Sequence, residues 1–258
     1  MSLKSTLKKF IPERYHSLIQ RIYFNLRSLW YIGNRFICPY CNGHFRKFLP
    51  FGVKPRPNAL CPRCGSLERH RLLWLYLKDR TNFFRDSLKV LDIAPMGSFQ
   101  QKCKDISNLD YISADISSPI AIIKMDITNI NLPDNEFDCI ICYHVLEHIL
   151  DDEKAMRELF RVLKPGGWAI LQSPVDHKRD KTFEDPNIVS PNQRERVFGQ
   201  KDHVRIYGRD YKDRLEKAGF TVKPDNYSRE LGNNIIKKYG LMKDETIYFC
   251  TKPKPKND

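Results

Sequence analysis

The sequence holds no uninterrupted run of eighteen apolar residues, so no membrane-spanning helix is expected. Lysines occur early, but no compact apolar stretch with a small-residue cleavage site follows them, so a secretory leader is not expected either. No internal repeat is present, which excludes solenoid and propeller architectures. Acidic residues are nearly missing from the first forty positions, where Lys4, Lys8, Lys9, Arg14, Arg21, Arg27 and Arg35 face only Glu13. What is present is globular in character. The 258 residues are 41% hydrophobic and 12% aromatic, enough for one α/β domain and a small appendage. The formal charge of +13, extended at the tail by Lys252, Lys254 and Lys256, raises the local concentration of anionic partners such as RNA, phospholipid surfaces or acidic substrates. A merely solvated basic surface is the competing reading.

Eight cysteines suggest disulfides, but their placement argues otherwise. Four form two Cys-x-x-Cys pairs, Cys38 with Cys41 and Cys61 with Cys64, separated by residues 42–60. Each pair turns two thiolates toward one point, and Zn²⁺ takes four soft ligands in a tetrahedron. A closed four-cysteine shell leaves no open position, so the expected metal is structural zinc, folding a segment too poor in apolar residues to fold alone. Cys103, Cys139, Cys142 and Cys250 are scattered through apolar contexts, which fits a reducing, cytoplasmic compartment.

Leu18, Ile22, Leu26, Leu29 and Trp30 recur near helical spacing, so residues 3–36 read as one or two helices. Such a stripe usually faces the chain's own core; the sharper alternative is a basic amphipathic segment resting on a membrane surface or docking a partner. Ser66 reads as the N-cap of a helix reaching residue 79 or 80. From residue 88 the pattern becomes α/β, with strands expected at 88–94, 111–115, 120–125, 137–143, 168–173 and 246–251. A long helix is expected over 146–163, stopped by Pro165-Gly166-Gly167, and another over 208–218. Strands alternating with helices imply a mostly parallel sheet covered on both faces. Residues 174–207 are polar and without clear periodicity, and read as a long insertion of the kind used for lids or binding loops.

Ligands of α/β sheets sit beyond the carboxyl ends of the strands. Asp92 and the loop Ala94-Pro95-Met96-Gly97-Ser98 close the first strand, Asp115 ends the second, and Asp126 ends the third. A carboxylate at Asp115 has two acceptor oxygens for a pair of ribose hydroxyls. The stretch Leu132-Pro133-Asp134-Asn135-Glu136-Phe137-Asp138 is followed by His144-Val145-Leu146-Glu147-His148. Next comes Leu159-Phe160-Arg161-Val162-Leu163-Lys164-Pro165-Gly166-Gly167-Trp168.

In that order these segments resemble class I S-adenosylmethionine-dependent methyltransferases of the small-molecule-like subgroup. The cysteine pairs with Ser66-Leu67-Glu68-Arg69-His70-Arg71 resemble the zinc-bearing N-terminal extension of some of them. The resemblance implies a seven-stranded Rossmann-like α/β sheet with its last strand antiparallel. It also implies that S-adenosylmethionine is held at its methionine end by Asp92 and the loop of Ala94 and Gly97, at ribose by Asp115, and at adenine by Asp126 and Ile127. Tyr143 and His144 would border the sulfonium. The organisation that follows is a basic amphipathic segment over 1–36, a zinc unit and helix over 37–80, the cofactor domain over 81–252 with its insertion at 174–207 on the substrate side, and a basic tail over 253–258. One departure stands out: the family's first loop usually carries Gly-x-Gly-x-Gly, and here a single glycine remains.

Methyl transfer from a sulfonium is a direct displacement in which the protein mainly aligns donor and acceptor. His148, His177 and His203 are the candidate bases, each weighed against ordinary packing or surface positions. His144 and His148 also have the spacing of paired helical metal ligands, but the resemblance implies no second zinc there. The acceptor expected is a small molecule, lipid or sugar. The alternatives are an RNA methyltransferase gripping phosphates with its zinc unit and basic surface, and a non-catalytic binding module with a degenerate cofactor loop.

Overall fold

The structure, a computed structural model, describes residues 13–255. Lys4, Lys8, Lys9 and Lys256 of the basic ends lie outside them. The chain divides into two compact units: one runs up to Phe84 and takes in Asn226–Glu245, the other comprises Arg85–Asp225 and the chain from Thr246 on. The 81–252 stretch expected to form one domain is thus interrupted by residues 226–245.

The first unit begins with a helix, Glu13–Leu29, followed directly by β1 (Ile32–Ile37), so the helical reading of residues 3–36 fails at its end. β1 pairs antiparallel with β2 (His44–Phe45), and β3 (Leu49–Phe51) with β4 (Arg56–Leu60). Leu18, the first member of the expected stripe, lies outside the described side chains, and the described members are not core-facing. Ile22, Leu26, Leu29 and Trp30 are all exposed, while Ser28 is buried and Phe24 lies within 3.7 Å of the position a Cβ on Gly65 would take. A helix then spans Glu68–Arg80, with Leu72, Leu73, Tyr76 and Leu77 buried. Its N-cap is Leu67 rather than Ser66, whose hydroxyl is engaged elsewhere. Two further helices, Tyr227–Glu230 and Gly232–Tyr239, complete this unit.

The second unit is built on β5 (Leu88–Ile93), β6 (Leu109–Asp115), β7 (Ile123–Lys124), β8 (Phe137–Tyr143), β9 (Leu163–Gln172), β12 (Thr221–Asp225) and β13 (Ile247–Thr251). Their order is β12-β13-β9-β8-β5-β6-β7, and only β13 runs antiparallel to its neighbours. The sheet thus has the seven-stranded Rossmann-like form expected. Strands β5 and β8 are buried almost end to end, as parallel strands covered on both faces must be. Their side chains join Met156, Leu159, Val162, Ala169, Leu171 and Tyr211 in one core. The third strand is shorter than the 120–125 expected, and the final helix is trimmed to Tyr211–Lys217.

The expected helix 146–163 is broken. A 3-10 turn covers Leu146–His148, and the α-helix proper is Asp152–Val162. Asp151 caps it, accepting from the Lys154 amide at 2.9 Å, with Asp152 and Glu153 in the first turn where the helix dipole favours negative charge. His144 and His148 therefore do not share a helical face. The Pro165-Gly166-Gly167 run lies inside β9, and a Cβ on Gly167 would sit 2.9 Å from the carbonyl oxygens of Asp138 and Lys164, so no larger residue fits that crossing. The insertion 174–207 is more ordered than its composition suggests: β10 (Phe183–Glu184) pairs with β11 (Arg205–Ile206) around a helix at Pro191–Phe198 that Ser190 and Gln193 cap reciprocally.

Candidate metal cluster and cofactor site

The two cysteine pairs sit on matching turns. The Cys38 amide donates to the Gly43 carbonyl, and the Asn42 amide donates back to Cys38. Likewise, the Cys61 amide donates to Ser66 and the Gly65 amide to Cys61. Asn42 and Gly65 supply the left-handed residue that each tight turn needs, with φ of 54° and 71°. The four sulfurs converge with all donor atoms within 4.8 Å of one another. Cys38 Sγ lies 3.7 Å from Cys64 Sγ, and Cys41 Sγ 3.7 Å from Cys61 Sγ. Four sulfurs about 2.3 Å from a tetrahedral zinc would be about 3.8 Å apart, so the donor set fits Zn²⁺. The same separations are far too long for disulfides, and all eight cysteines are free thiols.

Burial opposes ionisation of Cys38, but hydrogen bonds from Cys41, Cys61 and Cys64 outweigh it and hold that thiol well below its usual range. Hydrogen bonding to Cys38 and Cys41 pushes Cys61 and Cys64 up. A dication placed among the four sulfurs would favour the thiolate form of all of them.

Arg71, fully buried, closes this unit. Its guanidinium donates to the carbonyls of Ala59 (3.0 Å), Ser66 (2.7 Å), Tyr239 (2.8 Å) and Gly240 (2.5 Å), and lies over the Phe48 ring. Burial lowers its pKa, while the charges of Cys38, Cys61, Glu68 and Cys64 raise it. The buried cation, with no carboxylate bonded to it, is thus balanced by the cysteine cluster together with Glu68.

In the second unit the expected cofactor residues gather at the carboxyl ends of β5, β6, β7 and β8. Asp92 is buried and accepts a hydrogen bond from the Tyr111 hydroxyl. Burial pushes its pKa up to about 7, against the lowering effect of that bond. Ala94 follows with a φ of 53°, so an alanine occupies the left-handed position for which glycine is the ready residue. Its amide is fixed to the Ala114 carbonyl at 2.8 Å. Gly97 opens the helix Gly97–Lys104, whose start has no side-chain cap.

Asp115 uses Oδ1 for the amides of Ser117 (2.7 Å) and Ser118 (2.6 Å), and no described residue bonds its Oδ2. Asp126, exposed, holds Thr128 through Oδ1. Ile127 does not join them: it is buried in the hydrophobic core.

At the ends of β8 and β9 the structure assembles a cluster that the sequence left scattered. His144 sits beside Tyr143 with a φ of 59°, its amide bound to Gln172, and its Nδ1 is 3.2 Å from Glu147 Oε1. The other Glu147 oxygen accepts from Ser173 Oγ at 2.9 Å. Burial raises the Glu147 pKa, but the His144 bond and charge win and hold the carboxyl below its usual range. His148 and His203 pack edge to face at 4.7 Å. His203 is buried, and desolvation lowers its pKa. His177 is exposed and lies apart from this cluster.

Arg205 explains how His203 arrives. Its guanidinium bonds the carbonyls of Leu146 (3.0 Å), Ile149 and Leu150 (2.9 Å), and the Val204 amide donates to the Glu147 carbonyl at 3.0 Å. The open backbone of the 3-10 turn is thereby satisfied by the insertion. The sequence reading missed Arg205, Glu147 and Ser173. A lone arginine in a polar insertion carries no periodic signal, but Glu147 lay between two histidines already singled out.

Residues 91–171 match the family model described as a methyltransferase domain. The strand order, the lone antiparallel strand and this match agree. Residues 91–171 of the second unit are thus similar to a methyltransferase domain, on a sheet of the matching form. Over 82 residues the chain is 33% identical to the ubiquinone/menaquinone biosynthesis C-methyltransferase UbiE of Cronobacter sakazakii. It is 39% identical over the same length to that of Salmonella arizonae. Each alignment covers 31% of this chain and 28% of the relative, so the chain spans less than a third of the length of the curated relatives it matches. The [4+2]-cyclase SpnF superposes with a TM-score of 0.51 at 16% identity, covering 92% of this chain and 96% of that one, a likeness of fold alone. No helix among the described residues is long and apolar enough to cross a membrane.

Proposed function

We propose that the protein is a methyltransferase that binds S-adenosylmethionine along the ends of β5–β8 and transfers its methyl group to a small-molecule acceptor, with structural zinc in the first unit. The observation that carries the reading is the alignment of Asp92, Asp115 and Asp126 at three successive strand ends, beside the buried cluster of His144, Glu147, His148, Ser173 and His203. S-adenosylmethionine supplies an electrophilic methyl on a sulfonium.

The chain's own residues bind and orient. Asp115 offers Oδ2 to the ribose hydroxyls, because Oδ1 is committed to its own loop. Asp126 offers its second oxygen to the adenine amino group. Asp92 would be the counter-ion for the methionine ammonium, and the start of the helix Gly97–Lys104, which has no side-chain cap, would favour the carboxylate. His203, its pKa lowered by desolvation, lines the acceptor end of the site beside Glu147, whose carboxylate His144 and Ser173 hold in place. The small-molecule acceptor and cytoplasmic location are supported by the biosynthetic C-methyltransferases named above and by the free thiols. Titration calorimetry with S-adenosylmethionine tests the reading: one site per chain is expected, weakened at least tenfold in Asp115→Ala. Heatless titrations, confirmed by an equilibrium method, would overturn it.

A further inference from the structure

We infer that Glu147, His148 and His203 form a second metal site, for a divalent first-row transition ion, at the acceptor end of the methyltransferase domain. One donor atom from each residue lies within 4.8 Å of the others. The carboxylate is already oriented, with Ser173 Oγ 2.9 Å from one oxygen and His144 Nδ1 3.2 Å from the other. His148 Nδ1 lies 3.3 Å from the Asp202 carbonyl, a contact that assigns its proton to Nδ1 and leaves Nε2 a lone pair. His203 is only 7% exposed, and its Nε2 has no hydrogen-bond partner among the described residues. A buried imidazole nitrogen left so is unfavourable, and coordination would remove that cost. Arg205 and the Val204 amide fix the two segments against each other, so the three ligands are held before any ion arrives.

This donor set differs in kind from the cysteine cluster. Two imidazoles and one carboxylate suit zinc, iron(II), cobalt(II) or manganese(II) and leave coordination positions open. The role, which rests on the methyltransferase reading, is to bind an acceptor hydroxyl and lower its pKa. The proton leaves to water, the oxygen forms the new bond to the methyl carbon, and the carbon–sulfur bond breaks with its electron pair staying on sulfur.

Cobalt(II) is the probe. The full-length, zinc-loaded protein is incubated with it, desalted and analysed for both metals. One zinc and one cobalt per chain are expected, with weak ligand-field absorption and no intense thiolate-to-cobalt band. His203→Ala and Glu147→Gln should each weaken cobalt binding at least tenfold while keeping the zinc and the near-ultraviolet dichroism. Should either variant fail to fold, paramagnetically shifted ring protons from two histidines in the native protein are the second measurement. No cobalt beyond exchange into the cysteine site, or cobalt unaffected by both variants with no shifted histidines, overturns the site. Calorimetry with S-adenosylmethionine on the same preparations separates the two readings. Cobalt without cofactor binding sinks the methyltransferase assignment, and cofactor binding without cobalt sinks the metal site.

Discussion

In the first unit the buried centre is ionic. Four sulfurs converge on one point and Arg71 lies beside them with its donors spent on four carbonyls. In the second unit the centre is apolar, filled by Leu91, Ile140, Leu159, Ala169 and their neighbours, and the polar groups stand at the strand ends. The first arrangement concentrates stability in a few groups that must all be matched, because an uncompensated buried charge is expensive. The second spreads stability over many small contacts and leaves the strand ends available for chemistry.

The largest break in this contrast should come from the metal. Chelating the zinc, or Cys38→Ser, is expected to unfold the first unit, since structural zinc contributes on the order of 10 kcal/mol to small domains. Loss of zinc with unchanged near-ultraviolet dichroism and proteolysis pattern would contradict it. Next comes Arg71→Leu, expected to destabilise by about 3–5 kcal/mol, because four buried carbonyls lose their donor and the cluster loses its counter-charge. Urea unfolding measures it, and a loss under about 1 kcal/mol would refute the ionic-centre account.

In the second unit, Asp92 should make stability depend on pH. Its folded pKa, about 7, lies above the ordinary carboxyl value of 3.8, so the folded state binds more protons between those limits. Stability is then full below about pH 4 and falls as pH rises to about 7, by about 4 kcal/mol. Asp92→Asn should flatten that slope while weakening S-adenosylmethionine binding; an unchanged slope would count against the assignment. The smallest effect sharpens the contrast from the other side. Ala94→Gly relieves a left-handed alanine and should stabilise by about 1 kcal/mol with equal or tighter cofactor binding. Destabilisation would show that the methyl group is needed for packing.

What was legible in the sequence was local. The cysteine pairs announced their cluster because each turn is built from neighbouring residues. Strands β5 and β8 announced themselves because burial on both faces leaves continuous apolar runs. The family-like segments around Asp134 and Arg161 are understandable now: Arg161 bonds the carbonyls of Ile130 and Leu132 and the carboxylates of Asp134 and Glu158, tying those segments together. What depended on distant partners was not legible. His203 reaches Glu147 through the bonds that Arg205 and the Val204 amide make to residues 146–150, and the periodicity of Leu26 and Trp30 does not show that both are exposed. The broken helix is the exception, since Asp151 followed by Asp152 and Glu153 was a readable start signal that the apolar pattern overrode.

The bonds from Arg71 to Tyr239 and Gly240 also set an order of events. Their partners lie 168 and 169 residues further along the chain. During synthesis the cysteine turns precede those carbonyls by that stretch of chain, and Arg71 must wait for them. At about 5–20 residues per second that delay is roughly ten to thirty seconds. The cysteine-bearing segment is therefore finished only by chain made long after it, and a chain stopped before Tyr239 would have its cysteine turns but not their closure.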